Sequence, residues 1–202
     1  KKINKKKKYD IIIYCGFNKK FALNSNFKNL VSDNIILTQD LLKLNFSNFI
    51  YISSIDVYSK SNNLYIIFKK IAENLVLKEK NTSIIRCGML VGETMRHNHI
   101  TKIYNNEKKI SLSKKSKFNY VLMSDILKYI EKSSKINHKK ICDFVSNKSI
   151  SLKTVKKILN SKTSFGKFIY SVPNEFTFPI FREFKEFDET SQYNLKHYFN
   201  II

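Results

Sequence analysis

The order of apolar runs along this chain predicts an α/β domain: a parallel sheet flanked by helices, with a small irregular cap at the C-terminal end. Two observations carry that expectation. Short, almost wholly apolar runs recur at 9–14, 49–53, 83–87 and 141–145; they are too short for helices and lack the alternation of a half-exposed strand. Between them, apolar residues return every three or four positions, as a one-sided helix requires.

Tyr9 to Tyr14 is apolar apart from Asp10 and ends at Cys15-Gly16, which reads as a buried strand. The polar residues 18–29 read as a loop. Leu30, Val31, Ile35, Leu37, Leu41, Leu42 and Leu44 fit one face of a helix over 30–44, with Ser32 or Asp33 as its cap. The strand at 49–53 ends in Ser53-Ser54, and a loop holding Asp56 and Tyr58 leads to a helix over 64–77. After the polar stop at 78–81 comes the strand at 83–87. Beyond Gly88 and Gly92 the chain reads as a loop, up to a helix over 124–133 opened by Ser124-Asp125 and a strand at 141–145. Ser149-Ile150-Ser151 opens a further helix to Leu159. Residues 160–202, rich in Phe and holding both Pro173 and Pro179, read as the irregular cap. The expected division is therefore a mobile basic segment over 1–8, a sheet domain over 9–148 and a cap over 149–202.

With 202 residues, 43% of them hydrophobic and 13% aromatic, the chain can bury a sizeable core, which excludes a disordered chain. A net charge of +21 invites comparison with nucleic-acid binders. Yet among 37 basic residues only Arg86, Arg96 and Arg182 are arginines, the type that makes two-pronged base and phosphate contacts. Lys, Asn and Ile dominate together, as AT-rich codons supply, so a specific nucleic-acid role is set aside. The segment 1–8, with six lysines, stays open as a contact for polyanions, whose signature is steep salt dependence.

Cys15, Cys87 and Cys142 are odd in number and far apart, each in or at the end of an apolar run, and read as buried free thiols in a reducing cytoplasm. His97-Asn98-His99 lies in a polar stretch without a third ligand nearby and reads as a solvated loop, not a metal site. No apolar run reaches the roughly 18 residues of a membrane span, and the basic start leads into too few apolar residues for a signal peptide. A first residue of Lys, not Met, suggests a fragment or a processed chain.

The chemistry concentrates in NFIYISSIDVYS, 48–59, followed by Tyr65-Ile66-Ile67-Phe68-Lys69. Hydride transfer to or from a carbinol needs a matching proton transfer, and a hydroxyl, a phenol and an ammonium in this order suit a nicotinamide-dependent oxidoreductase. On a helix, Tyr65 and Lys69 share a face one turn apart. An ammonium there favours the tyrosinate and lowers the phenol from its usual pKa of about 10. The spacing alone carries little weight among so many lysines. A helix phase shifted by one presents Lys70 instead, and Ser54 reads equally well as a strand terminator. In an open parallel sheet, ligands gather beyond the carboxyl ends of the strands, here Cys15-Gly16-Phe17, Ser53-Ser54 and Arg86-Cys87-Gly88.

As an ordered series these residues resemble the extended short-chain dehydrogenase/reductase family, the NAD-dependent epimerase/dehydratases that act on nucleotide sugars. Tyr9 to Gly16 resembles the family's fourth strand, with Cys15 where Ala is commoner, and Asn34 to Leu42 resembles its next helix, with Leu37 in place of a usual Gly. Phe49 to Tyr58 resembles the strand ending in Ser-Ser and Val-Tyr, while Tyr65, Lys69 and Glu73 resemble the active-site helix. Ile84-Ile85-Arg86 with Gly92, and Asn119-Tyr120-Val121 with Asp125, resemble later blocks.

The resemblance implies a Rossmann-like NAD(P)-binding domain without its N-terminal Gly-rich part. It implies Tyr65 as general acid/base, Lys69 as holder of the nicotinamide ribose, and Ser54 as hydrogen-bond partner of the reacting sugar oxygen. Asn34 takes the supporting helix position, and Cys15, Gly16, Phe17 and Ser53 line the cofactor groove. The implied cofactor is NAD or NADP, and the implied substrate a nucleotide sugar that is epimerised, dehydrated or reduced. Family members often form homodimers through the two helices matching 30–44 and 64–77. Arg86 and Asp125 read as architectural, through capping and pairing. Two departures bear on activity. The loop from Ser54 to Tyr65 is only ten residues long, and Gly16, Gly88, Gly92 and Gly166 are the only glycines, none clustered. A G-x-x-G-x-x-G turn that seats a pyrophosphate on a helix N-terminus is thus absent from these residues. That leaves an alternative of another class, a catalytically silent binding or scaffold module of the same fold.

Overall fold

A computed structural model describes residues 7–16, 27–60, 63–133, 141–171 and 175–201. Strand β1 (Lys8–Tyr14) pairs in parallel with β2 (Asn45–Ser54), in a register that sets Lys8 beside Asn45 and Tyr14 beside Tyr51. A parallel pair needs a crossover, and the helical run α1 (27–42) supplies it. Phe27–Val31 and Leu37–Leu42 are α-helical, but Ser32–Ile36 between them is a π-helix. The spacing of leucines foresees the helix; the inserted π turn leaves no periodic trace. Strand β2 begins earlier than the apolar run suggests, because pairing with the start of β1 satisfies the backbone of its polar lead-in.

Helix α2 (Leu64–Leu77) has the limits its periodicity predicts. Asn63 caps it, and it buries Ile66, Phe68, Lys69, Ala72, Glu73 and Val76. Asn81 then turns the chain at φ 57°, in the left-handed region that Asn tolerates, into β3 (Thr82–Cys87). The Thr82 hydroxyl donates to the Val76 carbonyl at 2.7 Å, closing that turn.

The stretch after Gly88 is not the expected loop. It holds β4 (Met89–Val91), α3 (His99–Tyr104), β5 (Lys109–Leu112), β6 (Lys117–Phe118) and β7 (Tyr120–Leu122). Helix α4 (Met123–Ser133), strand β8 (Ile141–Phe144), strand β9 (Ile150–Ser151) and helix α5 (Leu152–Ile158), capped by Ser151, follow. Among the described residues of 160–202, regular structure is confined to β10 (Ser164–Phe168), α6 (Ser191–Tyr198) and single 3-10 turns. Strands of two to five residues are too short for a periodic signal, and their partners are distant. β4 pairs with β7, β5 with β10, and β6 with β9. The main sheet has the order β1-β2-β3-β8.

The chain groups into two compact units, 1–86 with 130–142, and 87–129 with 143–202. In the first, Tyr14, Phe49, Tyr51, Ala72, Val76 and Ile84 form a buried cluster under the sheet and α2. In the second, Ile100, Ile103, Tyr120, Leu152, Val155 and Leu195 do the same. No described helix is long and apolar enough to cross a membrane. Cys87 and Cys142 are buried as expected; Cys15 is exposed, because it lies one residue past the end of β1.

Candidate active site

Parallel register brings the first unit's candidates to one edge. With Tyr14 beside Tyr51, the residues following β1, Cys15 and Gly16, lie at the same carboxyl end as Ser53 and Ser54. Gly16 leaves room there for the Tyr14 ring. A Cβ on it would fall 2.3 Å from Cε2 of Tyr14, whose ring folds under this residue. Phe17 lies outside the described residues.

Tyr65 is the second residue of α2, and its backbone N–H donates to the Asn63 side chain at 2.8 Å, which fixes the first helical turn. One turn on, Lys69 is only 4% exposed, whereas Lys70 is exposed. The helix phase therefore places Tyr65, half-buried, and Lys69 on one inward face. A buried ammonium needs partners. Lys69 Nζ donates to the Ile52 carbonyl at 2.9 Å and sits 4.7 Å from the centroid of the Tyr51 ring. Burial first, then the neighbouring Tyr14, Tyr65 and Glu73, push the Tyr51 phenol far above its ordinary range. Partial burial pushes the Cys15 thiol up, and the nearby Lys69 charge pulls against it.

Ser54 terminates β2 and also caps the 3-10 turn Ile55–Tyr58, its Oγ accepting from Asp56 N at 3.2 Å. Its own O–H remains to donate elsewhere, since a hydroxyl is donor and acceptor at once. Ser53 is buried, and its Oγ has no partner among the described residues. Asn34, 2% exposed, lies inside the π segment; its Nδ2 donates to the Leu30 carbonyl at 2.9 Å while its Oδ1 has no partner among the described residues. A π turn breaks the regular ladder and frees carbonyls. The Tyr14 hydroxyl donates to Asp33 O at 2.8 Å and Thr38 Oγ1 to Asn34 O at 2.5 Å.

Glu73, a further turn along the same face of α2, receives Arg86 in a two-pronged pair, Nε to Oε1 at 3.1 Å and Nη2 to Oε2 at 2.7 Å. Arg86 Nη1 also donates to Tyr58 Oη at 2.9 Å. Burial would lower the guanidinium pKa, but the Glu73 carboxylate and Tyr58 more than offset it and hold the charge. Arg86 thus ties the end of β3 to α2, the architectural part its sequence position suggests. Asp125, in the first turn of α4, pairs with Lys128 at 3.1 Å.

His99 departs from expectation. Instead of lying in a solvated loop, it starts α3 with its ring 4.0 Å from the Phe118 ring centroid and its Nε2 2.9 Å from Tyr120 Oη. Burial lowers its pKa to about 4. Asn98 caps this helix in a reciprocal box with Thr101, a signal present in the sequence but masked by the polar surroundings. Among the described residues no cluster of His, Cys, Asp and Glu could hold a metal ion.

No protein-family model and no curated protein matches the sequence. Solved structures match the fold. MoeE5 in complex with UDP-glucose and NAD aligns with a TM-score of 0.70 at 14% identity, over 95% of this chain and 79% of that one. The UDP-N-acetylglucosamine 4-epimerase from Methanobrevibacter ruminantium, in complex with UDP-N-acetylmuramic acid, aligns at 0.67 and 13% identity, over 93% and 77%. TunA, an NAD-dependent NDP-hexosamine 5,6-dehydratase involved in tunicamycin biosynthesis, aligns at 0.71 and 12% identity, over 94% and 77%. At these identities the likeness speaks for the backbone alone: the chain has the Rossmann-like α/β fold of these nucleotide-sugar enzymes.

Proposed function

We propose that this protein acts on a nucleotide sugar with NAD or NADP, as an epimerase, dehydratase or reductase in which hydride transfer is coupled to a proton moved by Tyr65. The observation that carries the reading is Tyr65 and Lys69 on one inward face of α2, with the Lys69 ammonium anchored at Ile52 next to Ser53-Ser54. A nicotinamide group, when bound, supplies the hydride acceptor and donor. Ser53 Oγ, at the carboxyl end of β2 and without a hydrogen-bond partner among the described residues, suits a polar ligand at this edge, so the residues present fit such a group. Lys69 and Tyr65 would hold its ribose, with Cys15 and Gly16 approaching by backbone.

Tyr65 moves the proton. As a sugar carbinol is oxidised, its O–H proton passes to the Tyr65 oxygen, and it returns when the carbonyl is reduced. The Lys69 charge favours the tyrosinate that accepts it. Ser54 donates its O–H to the same sugar oxygen, its lone pair already engaged by Asp56 N. The expected result is binding of NAD(H) or NADP(H) to the protein by calorimetry, with turnover of a UDP-sugar that Tyr65→Phe abolishes while the fold is kept. Absence of binding by either cofactor sinks the proposal.

The scattered glycines favour a second reading, a silent binding or scaffold module of the same fold. In that case the wild type has no activity for Tyr65→Phe to lose. Ile36 and Leu37 on α1, and Ile67 and Ile71 on α2, are exposed, which supports a homodimer through these helices. Sedimentation of a monomer at all concentrations refutes it. The reading goes with a cytoplasmic location, in keeping with three cysteines that form no disulfide.

A further inference from the structure

The proton-transfer reading, on which this inference rests, leaves open what fixes the ammonium of Lys69 in place. We propose that Tyr51 is the positioning residue for Lys69, holding its ammonium by the face of the ring, with the Tyr14 ring packed against it. The Lys69 Nζ lies 4.7 Å from the Tyr51 centroid, and both residues are buried, at 4% and 1% exposure. A cation within about 6 Å of an aromatic centroid is drawn to the ring quadrupole, and more strongly once desolvated. A hydrogen bond ties the ammonium to the Ile52 carbonyl at one point, and the face of the Tyr51 ring adds a second contact that orients the end of its four-carbon stem.

Tyr51 itself is held. Its strand partner Tyr14 lies 5.7 Å away between ring centroids, tilted by 35°. Tyr14 is in turn tied by its hydroxyl to Asp33 in the π segment at 2.8 Å, and its ring takes the space a side chain at Gly16 would fill. The ring under Lys69 is therefore braced by β1 and α1. Besides Lys69, the titratable groups around Tyr51 are Tyr14, Tyr65 and Glu73, and burial together with these three keeps its phenol protonated. It acts by its face, as a neutral ring. Tyr51 touches no reacting atom in this scheme; it acts through Lys69.

The test uses the full chain with 13C-labelled lysine, the Lys69 ε-methylene signal being assigned by its loss in Lys69→Arg. We expect this signal to lie upfield of the bulk lysines through the ring current, and to stay there in Tyr51→Phe. Pentafluorophenylalanine at position 51 keeps the ring's shape and reverses its quadrupole, so the fold survives and the signal moves to the bulk position. With it, kcat falls about fivefold to tenfold at unchanged KM, while Tyr51→Phe stays within about twofold. An unmoved signal with the fluorinated ring, or an equal shift with Tyr51→Phe, overturns the proposal. If the wild type turns over no nucleotide sugar the functional reading fails, and the lysine signal still decides this one.

Discussion

Replacing Glu73 by Gln removes one charge from a pair whose side chains are 14% exposed for Arg86 and 5% for Glu73. The two hydrogen bonds, at 3.1 and 2.7 Å, are charge-assisted, and each is worth about 1.5–3 kcal/mol before the cost of leaving water. What decides the outcome is the guanidinium left behind. Tyr58 still accepts from Nη1, but the two-pronged carboxylate contact is lost from a buried charge, and breaking such a pair costs about 3–5 kcal/mol. Removing both charges is different: Glu73→Leu with Arg86→Met keeps the volume and leaves no buried ion, so stability returns to within about 1–2 kcal/mol of wild type. Urea unfolding of Glu73→Gln, and of Glu73→Leu and Arg86→Met singly and together, measures the cost and closes the cycle. A cost below about 1 kcal/mol for Glu73→Gln, or a double variant as weak as the single, refutes the reasoning. The pair also sets the rotation of α2, two turns beyond Tyr65. Activity of Glu73→Gln should therefore fall with stability and recover in the double variant.

Gly16→Ala places a Cβ where the Tyr14 ring lies, so the ring must shift and strain its bond to Asp33 O, costing about 1–3 kcal/mol by chemical denaturation. In a Tyr14→Ala background the same change should cost nothing further. Asn63→Ala removes the cap on the turn that carries Tyr65 and should lose about 1 kcal/mol, with an early rise in amide exchange confined to the start of α2. Acidification tests His99. The folded state keeps it neutral down to about pH 4, while the unfolded chain takes up the proton near pH 6.5. Stability is thus full above pH 6.5 and declines as the pH falls toward 4, by at most about 3 kcal/mol. The difference between wild type and His99→Phe in urea midpoint, followed from pH 7 to 4.5, should show that slope; parallel profiles would contradict it.

The first unit was largely legible from the chain. Runs of Ile, Tyr and Phe at 9–14 and 49–53 need burial on both faces, and 64–77 shows one apolar face with a cap, so strands and helix follow from local patterning. Tyr65, Lys69, Ser54 and Asn34 were also in view, because they fall on those elements at fixed offsets. The second unit was not. The segments 89–91, 109–112, 117–118 and 120–122 pair with strands as far away as 164–168, and two or three residues hold no period to detect. His99 was misplaced for the same reason, since its polar neighbours hide the Phe118 and Tyr120 rings that close over it.

By itself the sequence determined that a parallel α/β layer forms and that a phenol and an ammonium share one helical face, for both depend on spacing along a single segment. Tertiary structure decided which lysine turns inward, Lys69 and not Lys70. It also decided that Ile52 and the Tyr51 ring receive that charge, and that a π turn delivers Asp33 to Tyr14. Those outcomes hang on strand register and helix rotation, which are set by packing between distant segments and appear in no local pattern.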